Sequence, residues 1–190
     1  MSDIQSLINA ELSRGPKQPL IGTLASVDAD GAARARSVVI RGFDTAADAI
    51  WLSTHLHAHK SRQLLRSPEA DLVLWLPRKN IQLRLLCSWR LIDAGIAARN
   101  APMGQLRTTA WLETSPATRG MFAWPEPATP YDRKARGTPL PDDPATPPPT
   151  FALLYGTLEL VDALHIKRPV HIRIVHEKNR TKWLSHRINP

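Results

Sequence analysis

ARARSVVIRGFDTAADAIWLSTHLHAHKSRQLL, residues 33–65, is the stretch on which the fold turns. It reads as a strand from Ala33 to Arg41, centred on β-branched Val38, Val39 and Ile40, then a second strand from Ile50 to Ser53. A helix follows, beginning between His57 and His59 and carrying Leu64 and Leu65 toward a core. Polar groups gather at the junctions. Arg36 lies in the first strand and Arg41 at its end, Ser53 and Thr54 close the second strand, and His59 and Lys60 sit in the first helical turn. Cations beside hydroxyls and free helix N–H groups are what a phosphate monoester dianion requires. Any one arginine of this kind is ordinarily a solvated charge; the set and its order carry the signal.

Working outward, Ile4, Leu7, Ile8 and Leu12 recur at helical spacing, with Ser2 or Asp3 as cap and Gly15-Pro16 as stop. Leu20 to Val27 predicts a strand that turns at Asp28-Ala29-Asp30-Gly31 and pairs antiparallel with the Ala33–Arg41 strand. Beyond the Lys60 helix, Ala70 to Leu76 is a near-continuous apolar run, read as a buried strand. Ile81 to Ile92 is a long strand with Ile81, Leu83, Leu85 and Cys87 on one face and Gln82, Arg84, Leu86 and Ser88 on the other. Ala94 to Thr114 reads as helical, interrupted at Pro102, and Ser115-Pro116 starts another helix that leads to Phe122 and Trp124. Residues 125–149 are too rich in proline for regular structure; they read as either a disordered surface excursion or an ordered lid near a site, and disorder, or pinning by a partner subunit, is the expectation. Thr150–Val161, Val170–Val175 and Thr181–Arg187 resume strand character, with a turn at Glu177–Arg180. About seven hairpin-connected strands without a βαβ rhythm imply a mainly β fold, an antiparallel barrel with peripheral helices.

Size and charge set outer bounds. A chain of 190 residues, 43% hydrophobic, is expected to form one domain spanning residues 1–190. Its net charge of +8 implies an anionic partner, for which a phosphorylated cofactor, a nucleic acid and a membrane surface all qualify. The basic residues are dispersed, which disfavours nucleic acid. The single cysteine, Cys87, permits a reducing compartment, and no apolar run reaches spanning length, so a cytoplasmic protein without membrane association is expected. No GxGxxG or GxxxxGK[ST] loop is present. His55, His57 and His59 alternate across a strand-to-helix junction rather than on one face, so no metal site is expected.

The order RSVVIRG, WLSTHLHAHKSRQL, SPEADLVLW, IQLRL, then HIRI and KWLSHRINP resembles the pyridoxamine 5′-phosphate oxidase-like FMN-binding split barrels, over about residues 20–93 and 150–190. TSPATRGMFAWPEP is similar to a branch of that superfamily with a Trp-Pro element after the barrel strands. The resemblance implies a split barrel, FMN as cofactor, a homodimer with flavin at the interface, and flavin oxidoreductase activity on a small substrate. It places Arg36 and Lys60 on the cofactor phosphate, Ser53 and Thr54 on phosphate and ribityl, and Arg41 near flavin and substrate. Ser37, Val38 and Val39 run along the cofactor between the two arginines. It places Gln82 and Arg173 beside the flavin ring and His171 on the substrate side. A Gln amide offers the donor and acceptor that a flavin edge needs, and an Arg stabilises an anionic reduced ring.

Two departures shape the functional expectation. Ala58 and His59 stand where the family usually has Ser and Arg, so His59 replaces a permanent phosphate cation. Pro169 stands where the true oxidase has a substrate-binding Arg, and Arg168 is the neighbour that could substitute for it. FMN binding therefore survives the comparison better than oxidation of pyridoxamine phosphate. The competing readings are a flavin-binding protein without enzymatic activity and, less favoured, a basic nucleic-acid-binding barrel whose six tryptophans stack on bases.

Overall fold

The computed structural model describes residues 1–15, 17–180 and 182–190. The expected helix stop at Gly15-Pro16 and the expected strand start at Thr181 each fall on one residue outside that set. Helix α1 (Ser2–Leu12) is followed by β1 (Ile21–Val27), β2 (Ala33–Val39), β3 (Gly42–Asp44), β4 (Ala49–His55), α2 (His59–Arg66), β5 (Glu69–Leu76) and β6 (Ile81–Ile92). Then come α3 (Ala94–Arg99), α4 (Ala101–Glu113), α5 (Pro116–Gly120), a 3₁₀ turn (Met121–Ala123), β7 (Phe151–His165), β8 (Ile172–Asn179) and β9 (Lys182–Ile188).

All strand pairings are antiparallel, and the nine strands form one sheet in the order β2-β1-β5-β6-β7-β4-β3, with β8 on β7 and β9 on β8. The sheet forks along β7. Its residues 151–157 pair with β4, whereas residues 160–165 pair with β8. Closure comes from the segment that the sequence marks as one strand. Through Val39 it pairs with β1, and Ile40 N–H still donates to Leu20 O. From Arg41, whose N–H donates to Trp51 O, it pairs with β4 on the opposite edge. The predicted 33–41 strand therefore ends at Val39 as β2; Ile40 and Arg41 carry the chain from one edge to the other, and β3 begins beyond it at Gly42. Gly42 makes this passage possible, because a Cβ there would stand inside the Trp51 ring.

The interior follows from alternation. Leu24, Leu72, Leu74, Leu83, Leu85, Leu52, Leu154 and Leu158 point inward and are fully or almost fully buried. Helix α1 closes one end with Ile4 and Ile8, and Gln5 Nε2 donates to Asp48 Oδ1 at 2.6 Å. Its N-cap is Met1, without a side-chain bond, so neither Ser2 nor Asp3 caps it as expected. A second cluster, Trp51, Trp111, Phe122, Phe151, Leu153 and Tyr155, lies between the outer face of β4–β7 and α4. Covered on both faces, β4 and the first part of β7 read as continuous apolar runs. The interruption expected at Pro102 is the break between α3 and α4, where Pro102 lies in the first turn of α4 behind the cap in which Asn100 accepts from Met103 N–H.

Other expectations are corrected by exposure. Leu64 is buried, but Leu65 is 64% exposed and faces water. Trp89 is core, its Nε1 donating to Ala70 O at 3.1 Å, whereas Trp75 is 45% exposed on the outer face of the sheet. The predicted turn at Glu177–Arg180 is mostly strand, since β8 continues to Asn179. Among the described residues no helix is long and apolar enough to cross a membrane.

Gly42→Ala is expected to destabilise the fold by about 1–3 kcal/mol, because the buried Trp51 ring cannot yield without disturbing the core. Urea unfolding followed by tryptophan fluorescence measures it; an unchanged midpoint would show that closure does not depend on this contact.

Candidate functional site

A cavity of about 400 Å³ opens where the barrel closes. That volume lies within the range of roughly 300–1,000 Å³ usual for small-molecule sites. One side is built from Ser37, Val38, Val39 and Arg41 of the closing segment, Ser53, Thr54 and His55 at the end of β4, and Lys60 at the start of α2. The other side is apolar: Met121, Phe122, Trp124, Pro125 and Pro127.

Lys60 is substantially desolvated, and burial, followed by the charge of Arg36, holds its ammonium below the usual lysine value. Arg36 lies beside it. Its Nη1 donates to Ser26 Oγ at 2.6 Å and Leu24 O at 3.1 Å, and its Nη2 to Gln63 Oε1 at 2.7 Å. Neither cation forms an ion pair among the described residues. Two neighbouring positive charges, each disfavoured by burial and facing no carboxylate, constitute an electrostatic demand for an anion. Ser53 sharpens it: its hydroxyl is buried, and it has no hydrogen-bond partner. An unpaired buried hydroxyl costs about 1–3 kcal/mol, which a ligand oxygen would recover. These groups fit a phosphate-bearing cofactor.

The cavity collects Ser37, Val38, Val39, Arg41, Ser53, Thr54 and Lys60, with Arg36 behind. Within it the contributions differ. Val38 is packed in the core, and the Thr54 hydroxyl is engaged with Ser61 Oγ at 3.2 Å and His55 O at 3.3 Å. His59 instead lines a neighbouring cavity with Asp28, Arg62, Gln63 and Arg66.

Gln82 and Arg173 lie elsewhere. The register Trp75↔Gln82↔Leu164↔Arg173↔Ile188 puts them in one row on the outer face of the sheet. From β2 to β8 there are five strand steps, roughly 24 Å along the sheet at about 4.8 Å each. Arg173 is held by Asp162 in a two-pronged pair at 2.9 and 2.7 Å, which raises its already high pKa. His171 and Arg168 are exposed in the segment before β8, where His171 Nδ1 accepts from Lys167 N–H at 3.2 Å.

The apolar wall was not assigned to the site from sequence, although the Trp-Pro element that forms it was noticed. His55 was also missed; its ring stacks on Phe122, 5° from parallel at 6.4 Å, and burial lowers its pKa. Among the described residues no group of three or more His, Cys, Asp or Glu is placed to hold a metal ion; His57 turns instead toward Glu126, Nδ1 to Oε1 3.4 Å.

The proline-rich segment docks on its own chain. Pro148 O accepts from the buried Arg107 at 2.7 Å, and Pro144 O accepts from Trp111 Nε1 at 3.0 Å and Arg119 Nη1 at 3.3 Å. The pinning expected from a partner subunit is thus supplied within one chain.

The family model for the pyridoxamine 5′-phosphate oxidase FMN-binding domain matches residues 2–93. A pyridoxine/pyridoxamine 5′-phosphate oxidase 2 of Arabidopsis thaliana is 27% identical over 171 residues, 88% of this chain and 85% of its own. A pyridoxine/pyridoxamine 5′-phosphate oxidase of Bradyrhizobium diazoefficiens is 25% identical over 122 residues, 63% of this chain but only 50% of that one. Among solved structures, a pyridoxamine 5′-phosphate oxidase-related, FMN binding protein from Nostoc punctiforme superposes with a TM-score of 0.84 at 26% identity, covering 100% of this chain and 96% of its own. PhzG from Burkholderia lata, at 17% identity and a TM-score of 0.67 over 98% and 89% of the two chains, shares the fold.

The Lys60 environment gives a signed pH dependence. Its folded-state pKa is depressed, so the folded chain releases this proton before the unfolded chain does. The group's contribution to stability of the unliganded protein therefore grows as pH rises toward the ordinary value of 10.5. An anion held by Lys60 needs that proton, so its affinity falls over the same window. Titration calorimetry with a phosphate monoester is expected to show weaker binding at about pH 10 than at about pH 8, with most of the difference gone in Lys60→Gln. Identical pH profiles for parent and variant would remove Lys60 from the anion site.

Proposed function

We propose that the chain is a member of the pyridoxamine 5′-phosphate oxidase-like FMN-binding split-barrel family, which its match over residues 2–93 supports, and that it is an FMN-dependent oxidoreductase acting, as a homodimer, on a small molecule. The observation that carries this is the desolvated Lys60 ammonium beside the unpartnered Ser53 hydroxyl in one cavity, with the Arg36 guanidinium behind it and no carboxylate paired with either cation among the described residues. Lys60, Arg36 and Ser53 would hold the cofactor phosphate, with Ser37 and Arg41 along the same wall. Bound FMN supplies hydride or electron transfer at its ring; the protein contributes binding, orientation and charge.

A second copy gives the outlying residues a role. The outer sheet face carries exposed Ile21 and Trp75, at 53% and 45%, in the same stretch of sheet as Gln82 and Arg173. Ser37 and Val39 of the cavity lie on this face too, through their pairing with Thr23 and Ile21. An isologous dimer across it would bring the Gln82–Arg173 row of one chain toward the cavity of the other, twice. Covering such apolar surface stabilises the pair by about 25 cal/mol per Å² before association costs. Arg173 keeps its charge through Asp162 and would be a fixed cation beside a reduced, anionic ring.

FMN is expected to bind more tightly than riboflavin by at least tenfold, since charge-assisted bonds to a phosphate contribute about 1.5–3 kcal/mol each. Fluorescence titration measures it, and equal affinity for riboflavin would refute the phosphate site. Sedimentation of the loaded protein should give a dimer; a monomer that retains flavin contradicts the shared site.

Turnover of pyridoxamine 5′-phosphate is expected to be weak. Pro169 offers no side-chain donor, and Arg168 and His171 are exposed rather than gathered into a pocket. Oxygen-dependent pyridoxal phosphate formation by FMN-saturated protein tests this, beside Arg168→Ala. Robust turnover lost in the variant would identify Arg168 as a phosphate ligand and the chain as a true oxidase.

A further inference from the structure

We propose that Trp124 is the platform for the cofactor's ring, stacking on the isoalloxazine while Lys60 and Ser53 hold the phosphate across the cavity. The inference rests on the flavin reading above and deepens it at the ring end, for which the phosphate-binding groups supply nothing.

FMN has two unlike ends, a phosphate dianion and a flat, largely apolar ring, and the cavity has two unlike sides. Arg41, Ser53 and Lys60 stand on one; Met121, Phe122, Trp124, Pro125 and Pro127 stand on the other. On the apolar side the aromatic surface is unevenly committed. Phe122 is 7% exposed, and its ring is packed among His55, Trp111 and Phe151. Trp124 is 63% exposed and, among the described residues, packs against no other ring. Of the six tryptophans it is the one that lines this cavity among the described residues. An uncovered indole offers a planar ligand a large apolar face, and offset stacking of two rings adds to the gain from covering it.

The platform is held in place from several directions. Trp124 is extended, at φ −74° and ψ 163°, the conformation that a following proline favours. Its N–H donates to Met121 O at 3.3 Å, and Thr150 Oγ1 donates to Phe122 O at 3.1 Å, tying the turn to the start of β7. Gly137 lies so close to the Ala123–Trp124 backbone that a Cβ there would not fit. Two residues further on, Glu126 accepts from Arg62 Nη2 at 2.6 Å and joins the segment to α2. A backbone fixed at these points loses little freedom when a ring settles on its indole.

FMN and riboflavin share the ring and differ in the phosphate, so the pair separates the two ends of the site. Equilibrium dialysis measures both affinities, and the emission of the bound flavin reads the contact. An indole touching an excited flavin quenches it by lending an electron that then returns, with no net change. Flavin bound to the parent is therefore expected to be dimmer than free FMN. Trp124→Leu should weaken FMN and riboflavin by the same factor, roughly tenfold, whereas Lys60→Gln should weaken FMN alone. Trp124→Phe keeps an aromatic face but not the electron donor, so its FMN affinity should stay within about threefold of the parent while the bound flavin becomes several-fold brighter. Both substitutions fall on an exposed side chain outside the two core clusters, so both variants are expected to fold. Unchanged affinities in Trp124→Leu, a loss confined to FMN, or a bound flavin as dim in Trp124→Phe as in the parent would overturn the inference and leave the phosphate site standing. A parent that binds no FMN would overturn the cofactor reading and this inference together.

Discussion

One extended segment, residues 33–44, is hydrogen-bonded to opposite edges of a single sheet. On one side it follows β1, on the other it joins β4, and the transfer occupies Ile40 and Arg41. Everything else in the molecule is arranged around that constraint. The segment covers the edges of β1 and β4, which would otherwise present unpaired N–H and C=O groups, and it brings the end of β4 and the start of α2 beside β2. A gap must remain where one segment leaves one partner and meets another. The cavity is that gap, and the residues at the transfer, Val39 and Arg41, line it.

The chemistry of the gap follows from what the barrel puts around it. Inward positions are aliphatic, so polar groups near the opening have few partners. Thr54, pointing toward the core, finds Ser61; Ser53, one residue away on the other side of the pleat, finds none. Arg36 is satisfied by neutral oxygens and Lys60 by no carboxylate among the described residues, so positive charge accumulates without local compensation. Ion pairs elsewhere include Arg173 and Arg84 with Asp162, Arg34 with Asp28 and Lys178 with Asp48, whereas Lys60 is desolvated beside a second cation.

The strand side of the cavity, Ser37 to Lys60, could be gathered from the sequence because it is local. Arg36 through Lys60 span one strand-turn-strand-helix unit, and period-two alternation fixes which side chains turn toward the gap. The apolar wall was not legible, because Met121, Phe122, Trp124, Pro125 and Pro127 reach the cavity only through the packing of α4 on β4–β7, a contact with no short-range signature. Trp75 was misplaced for a related reason. In ADLVLWL the outward residues Val73 and Trp75 are as apolar as the inward Leu72, Leu74 and Leu76, so composition hid the alternation that the structure obeys. Leu65 was drawn inward by its neighbour Leu64, though two successive residues on a helix cannot share a face.

The proline-rich segment is fixed through carbonyl acceptors rather than through its own N–H donors, most of its anchors being arginine and tryptophan side chains of α4 and α5. A run of prolines has few N–H groups to offer to a sheet edge, so this long excursion is a poor template for strand addition. Its hydrogen-bonded anchors sit at Pro144, Pro148 and Glu126, and between them Gly137 lies against the Ala123–Trp124 backbone and Leu140 packs on the second cluster. The stretch between Glu126 and Gly137, around the almost fully exposed Tyr131, is where length can drift over evolutionary time and where an inserted peptide would cost least, since closure entropy grows only slowly with loop length. Diversification of this architecture therefore has a natural address: lengthening at Tyr131 adds surface beyond the cavity-lining Pro127 and leaves the barrel untouched.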